Sequence, residues 1–204
     1  MITLGITGRS GCGKSTVTAV FAAHGVPLAD ADQLSREILL PGSPLLPQLA
    51  ERFGAELIEA SADEMREYTR SVTEEEIEAE ICADRERFRF PEPIEDGVYR
   101  ANTRACLAIR KWIEAKKLDA FTVNFLKACP AYGIDTMPFL EACKAMTRGI
   151  GYAGEGDALD AMLAGALIRT FEMASFVEIF CPDWKDDRLF LSHMGEMNYR
   201  TADG

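Results

Sequence analysis

The sequence predicts an α/β protein that opens with a strand–helix–strand–helix unit on a parallel sheet. Three observations carry this expectation. Ile2–Thr7 is a short, β-branched, apolar run that reads as a buried strand. Residues 8–13 are rich in glycine, and Lys14–His24 places Val17, Val20 and Phe21 at helical spacing. Gly25 suits the end of that helix. Val26–Ala29, entered through Pro27, reads as a second strand and Asp32–Leu40 as a second helix. Pro41, Gly42 and Pro44 break it before Leu45–Phe53 begins another. Strands alternating with helices are the sequence form of a parallel α/β sheet.

Past residue 58 the texture changes. Residues 59–72 hold few large apolar side chains and no clear period. We place a junction at 61–72, between a segment of residues 1–60 and a second α/β segment of residues 73–204. Thr73 suits the cap of an acidic helix with Glu74, Glu75 and Glu76 in its first turn, where the helix dipole favours carboxylates. That helix runs to about Phe88, and its charge reads as a solvated face. After Pro91 and Pro93, Val98–Lys117 reads as a long helix and Asp119–Phe125 as a strand. Helices follow at Pro138–Arg148 and Asp157–Phe171, then strands at Ser175–Phe180 and Arg188–Ser192.

Composition narrows the function classes. The 204 residues are 48% hydrophobic and 27% charged, which excludes a disordered, collagen-like or coiled-coil chain. The net charge is −11 and no block of Lys and Arg stands out, so no nucleic-acid partner is expected. The longest apolar run, Ala161 to Ile168, is far short of the ~20 residues of a membrane span. The N-terminus lacks the basic-then-apolar pattern of a secretory signal. We therefore expect a cytoplasmic protein with no membrane partner. Six scattered cysteines without a C-x-x-C pair read as reduced thiols.

Gly8-Arg9-Ser10-Gly11-Cys12-Gly13-Lys14-Ser15 fits G-x-x-x-x-G-K-[ST] at every fixed position, after an apolar strand and at the start of a helix. Glycines let successive backbone N–H groups turn toward phosphate oxygens, and the helix N-terminus adds positive potential. The expected ATP-phosphate set is Gly8, Gly11, Cys12, Gly13, Lys14, Ser15 and Thr16. Lys14 would reach the β- and γ-phosphates, and the Ser15 hydroxyl would ligate Mg²⁺. Asp30 and Asp32 lie at the end of the second expected strand, the edge where open α/β sheets bind ligands. A carboxylate there accepts a proton from an attacking hydroxyl or holds Mg²⁺ through water. Asp32 equally suits the cap of the following helix.

Residues 2–58 resemble the start of the dephospho-CoA kinases: the glycine-rich opening, GVPLADADQLSRE and PGSPLL…RFGAELI occur in order and spacing. The resemblance implies ATP and dephospho-CoA as substrates, transfer of the γ-phosphoryl group to the 3′-hydroxyl, Lys14 and Asp30 as catalytic residues, and Asp32 and Arg36 at the substrate. No lid with paired arginines follows, so a kinase impaired by the missing substrate half is implied.

Residues 73–199 resemble the L-arabinose/L-fucose isomerase-like sugar isomerases, through FTVNFLKACPAYGIDTMPFLEACKAMTRGIGYAGEGDALDAMLAGAL and FVEIFCPDWKDDRLFLSHMGEMN. This implies Glu155, Glu178 and His193 as Mn²⁺ ligands, and a sugar as substrate of an aldose–ketose isomerisation. Such isomerases draw a further histidine ligand from a C-terminal domain, whereas the other histidine here, His24, reads as a surface or cap residue. We rank the kinase reading first, because a phosphate site needs only local structure. An isomerase fragment is the alternative, and a non-catalytic nucleotide-binding protein is the third reading.

Overall fold

The computed structural model describes residues 5–6, 13–29, 43–124, 132–134, 136–193 and 195–202. In chain order the elements are α1 (Lys14–Ala23), α2 (Leu45–Phe53), α3 (Ala62–Ser71), α4 (Glu74–Arg87), α5 (Asp96–Lys116), β1 (Ala120–Thr122), α6 (Phe139–Thr147), β2 (Gly151–Ala153), α7 (Ala158–Phe171), β3 (Glu178–Asp183) and β4 (Arg188–Ser192), followed by a 3₁₀ turn at Tyr199–Thr201. Two compact units form, one of residues 1–57 with 177–193 and one of residues 58–176 with 194–204.

The first unit contains α1, α2 and the hairpin β3–β4. The helix α2 stops at Gly54, whose φ of 64° is the left-handed geometry of a helix C-terminus. The hairpin is antiparallel, with Glu178 opposite Ser192 and Asp183 opposite Arg188, and its register is interrupted between Ile179 and Cys181.

In the second unit, four of the helices start where a capping side chain satisfies first-turn N–H groups, among them α5, where Glu95 accepts from the Gly97 and Val98 N–H groups. The Ser61 hydroxyl accepts from the Glu64 N–H at the start of α3. A reciprocal pair opens α4: the Glu76 N–H donates to Thr73 Oγ1 at 3.2 Å, and the Thr73 N–H donates to Glu76 Oε2 at 2.8 Å. The Asp157 carboxylate accepts from the Asp160 N–H at the start of α7. The strands β1 and β2 pair in parallel, Phe121 opposite Tyr152, and α7 covers them. That covering is close, since a Cβ on Gly151 would stand 2.0 Å from the Ala161 carbonyl oxygen and 2.4 Å from the Gly165 nitrogen. The core gathers Ile77 and Ile81 of α4, Trp112 and Ile113 of α5, Met146 of α6, Phe121, Tyr152 and Ile168.

A buried charge network runs through this core. Glu141 is fully buried and accepts from Arg110 Nε and Nη2, at 3.0 and 2.7 Å to Oε2, and from Arg148. Lys144, 2% exposed, donates to Glu80 Oε1 at 2.6 Å and pairs with Asp84, itself 1% exposed. Burial pushes the Glu80 carboxyl up, but hydrogen bonds from Arg110 and Lys144 outweigh it and hold it at about 2.

Several expectations need correction. Val26–Ala29 is irregular and not a strand; Pro27 offers no N–H donor to a ladder, and Leu28 is exposed. Residues 62–71, without a clear period in the sequence, form the helix α3. The strand β2 was not expected at all, and Ser175–Val177 precedes the strand that begins at Glu178. The acidic helix α4 is not solvated all round, because Glu80 and Asp84 face the core. Nearly all of the strand expected at Ile2–Thr7, and the helix at Asp32–Leu40, lie outside the described residues.

Candidate functional site

The glycine-rich segment that follows the first expected strand is described from Gly13 onward. Gly13 has φ 88° and ψ 14°, a left-handed conformation that only glycine adopts at no cost, and α1 begins directly after it. The first turn of α1 carries no acidic residue and no side-chain cap. The positive end of the helix dipole lies at this terminus. Ser15 and Thr16 are exposed, and Thr18 Oγ1 donates to the Ser15 carbonyl at 3.1 Å, a bond that leaves the Ser15 hydroxyl out. His24 closes the other end of α1, its Nδ1 lying 2.8 Å from the Val20 carbonyl oxygen, as expected of a cap residue. Gly8, Gly11, Cys12, Asp30, Asp32 and Arg36 lie outside the described residues.

The isomerase-type residues fall in both units. Glu155 stands in the second unit, on the turn that follows β2, with φ 61° in the left-handed region that non-glycine residues seldom enter. Thr122 Oγ1 holds this turn: it donates to the Ala153 carbonyl at 2.7 Å and accepts from the Gly156 N–H at 3.0 Å. Glu178 and His193 belong to the first unit, at the base of the hairpin, where His193 Nε2 lies 3.9 Å from Glu178 Oε2. The Glu178–Ser192 register places these two side by side. Among the described residues no group of three or more His, Cys, Asp or Glu side chains is gathered as metal ligands.

Three residues not singled out in the sequence shape this region: Thr122, Glu196 and Asn198. Glu196, 2% exposed, accepts from the Tyr152 hydroxyl at 2.8 Å. Burial, then the Glu196 charge, drives the Tyr152 hydroxyl well above the ordinary tyrosine range. A carboxylate within MGEMN gave no periodic or motif signal of burial. The four described cysteines are free thiols. Burial pushes the Cys106 thiol up to about 12 and raises Cys143, so both are unreactive at neutral pH. Among the described residues no helix is long and apolar enough to cross a membrane.

Comparison with known proteins divides the chain between two families. Residues 2–80 match the family model of dephospho-CoA kinase, and residues 48–174 match that of the L-arabinose isomerase central domain. The two matches overlap over 48–80; Glu155 lies within the second, while Glu178 and His193 lie beyond it. A dephospho-CoA kinase of Corynebacterium glutamicum is 48% identical over 58 residues, 28% of this chain and 30% of that protein. One from Synechococcus sp. is 45% identical over 60 residues, 29% of this chain and 25% of its own length. An uncharacterized protein of Caenorhabditis elegans is 46% identical over 56 residues, covering 28% of this chain and 24% of itself. The chain thus spans about a quarter to a third of the curated relatives it matches. The chain belongs to the L-arabinose isomerase central-domain family, matched over residues 48–174, and its residues 2–80 are similar to the dephospho-CoA kinases.

Proposed function

We propose that the chain binds ATP through its N-terminal segment and transfers the γ-phosphoryl group to the 3′-hydroxyl of dephospho-CoA. The observation that carries this reading is the unbroken Gly8–Ser15 motif, which ends on a left-handed Gly13 at the uncapped start of α1. The family match over residues 2–80 supports it. In the reaction Asp30 takes the hydroxyl proton, the 3′-oxygen bonds to the γ-phosphorus, and the bond from that phosphorus to the β-phosphate oxygen breaks to release ADP. Lys14 and the α1 N–H groups hold the β- and γ-phosphate oxygens, with Gly8, Gly11, Cys12 and Thr16 completing the cradle; Asp32 and Arg36 meet the acceptor. The Ser15 hydroxyl is a hard oxygen donor, exposed, and of the type Mg²⁺ takes. When bound with ATP, Mg²⁺ neutralises phosphate charge. The test is ATP- and Mg²⁺-dependent phosphorylation of dephospho-CoA by the parent chain. We expect turnover by the parent and a loss of ~100-fold or more in Lys14→Ala. Absence of both turnover and ATP binding overturns the reading; ATP binding without turnover leaves a non-catalytic nucleotide-binding protein.

A second reading, metal-dependent aldose–ketose isomerisation, is favoured by the approach of Glu178 to His193 and by the family of residues 48–174. Two carboxylates and an imidazole form a donor set that suits Mn²⁺. On this reading Glu155, Glu178 and His193 hold the ion, which supplies polarisation of the sugar carbonyl when bound. The expected result is Mn²⁺-dependent ketose formation from L-arabinose or L-fucose, lost ~100-fold or more in Glu155→Gln. A chain that co-purifies with no metal, and whose thermal stability ignores chelator, contradicts it.

A further inference from the structure

The hairpin β3–β4 belongs to one compact unit, yet the chain on both sides of it belongs to the other. Where the two flanks meet stands Asn198, with 0% of its surface exposed. Its side-chain Nδ2 donates to the Ala174 carbonyl at 2.9 Å and to the Glu172 carbonyl at 3.3 Å. Its backbone N–H donates to Ser175 Oγ at 3.0 Å, and its Oδ1 accepts from the Arg200 N–H at 3.2 Å. Asn198 thus joins three positions of residues 172–175 to the segment that returns after the hairpin. Neighbours on that strand are anchored as well: Glu196 by Tyr152, and the Met197 N–H on Cys143 Sγ at 3.4 Å.

We propose that Asn198 is a positioning residue whose clasp on residues 172–175 closes the base of the hairpin and sets the register that brings Glu178 beside His193. An isolated two-stranded hairpin is marginal in water. Burial adds little here, because Ile179, Leu189 and Phe190 are each more than half exposed. Register then depends on how the ends are closed. At the tip, the Lys185 N–H donates to Asp183 Oδ1 and Asp187 adopts φ 51°. At the base, the clasp brings Ser175 and Asn198 within hydrogen-bond distance and removes the closure entropy the strands would otherwise have to overcome. The first ladder pair inside it is Glu178 with Ser192, which sets His193 next to Glu178. A slip of one residue would turn Glu178 to the opposite face of the ladder and separate the pair. The bulge between Ile179 and Cys181 makes such a slip an available alternative, since one strand already carries an extra residue.

The functional consequence rests on the isomerase reading; the clasp itself does not, and the experiment separates the two. Amide hydrogen exchange is measured on the full chain for the parent, Asn198→Ala, Ser175→Ala and Ser175→Thr. Loss of buried hydrogen bonds predicts exchange across residues 178–192 that is about tenfold faster in both alanine variants, with α5 unchanged. Ser175→Thr, which keeps the hydroxyl, is expected to exchange like the parent. The same samples are titrated with Mn²⁺ and followed by paramagnetic resonance, where the alanine variants should bind at least about fivefold more weakly. Parent-like exchange over 178–192 in a folded Ser175→Ala or Asn198→Ala chain overturns the clasp. A parent chain that takes up no Mn²⁺ overturns the metal reading alone, and the exchange result still decides the clasp.

Discussion

Lys144→Met is expected to destabilise the second unit by about 3–5 kcal/mol, the cost of breaking a buried ion pair from one side. Asp84 and Glu80 both turn to this ammonium, and Asp84 is 1% exposed, so the substitution strands a carboxylate in the core. The neighbouring Tyr99 hydroxyl is already displaced upward, to about 12, by burial first and the Asp84 charge second. Chemical denaturation followed by far-ultraviolet circular dichroism measures the loss. A companion variant, Lys144→Met with Asp84→Leu and Glu80→Met, removes the charges together and should recover much of it, because desolvation opposes the network as a whole. The pH dependence follows from Glu80. Its carboxyl is held at about 2 against an ordinary 4.5, so the stability it contributes is complete above the ordinary value. That contribution fades as pH falls from 4.5 toward 2, and the Lys144→Met variant should show a shallower acid limb than the parent in the same window.

Gly151→Ala should be as damaging, by at least about 3 kcal/mol, for a steric reason. The added methyl would sit 2.0 Å from the Ala161 carbonyl oxygen and 2.7 Å from the Gly165 Cα, all backbone atoms that no rotamer change can move. The helix α7 would have to lift from β2, taking Ile168 out of the core with it. Thermal unfolding of the full chain measures this, and a melting temperature within two or three degrees of the parent would show that the helix gives way cheaply.

These two sites also mark where sequence reasoning stopped short. The helices from α4 on were legible from period and, at α4, from the Thr73 cap, which bonds the first turn, whereas α3 carries no clear period and was not. The strand β2 was not, because three residues led by a glycine carry no alternation. The charge on α4 was misread. Glu80 and Asp84 stand at helical spacing with Ile77 and Ile81, a pattern that places acids on the core face, but their partners Arg110 and Lys144 lie on α5 and α6. Pairing of distant charges is tertiary and leaves no local mark. At residues 8–15 the expectation rests on a contiguous motif alone, and of that motif only Gly13, Lys14 and Ser15 lie among the described residues. Glu155, Glu178 and His193 were named through resemblance alone, and among the described residues they are not gathered as a metal-ligand group. The left-handed turn under Glu155 and the register behind the Glu178–His193 approach emerged only from the structure.

We propose that residues 2–80 hold a nucleotide-phosphate cradle in the same chain as the isomerase-family segment of residues 48–174. Calorimetric titration of the full chain with ATP and Mg²⁺, beside Lys14→Ala, tests it most directly. Saturable one-to-one binding is expected of the parent, weakened ~100-fold or more in the variant as a charged phosphate partner is lost. Heat indistinguishable between the two, or no saturable heat from the parent, would contradict it.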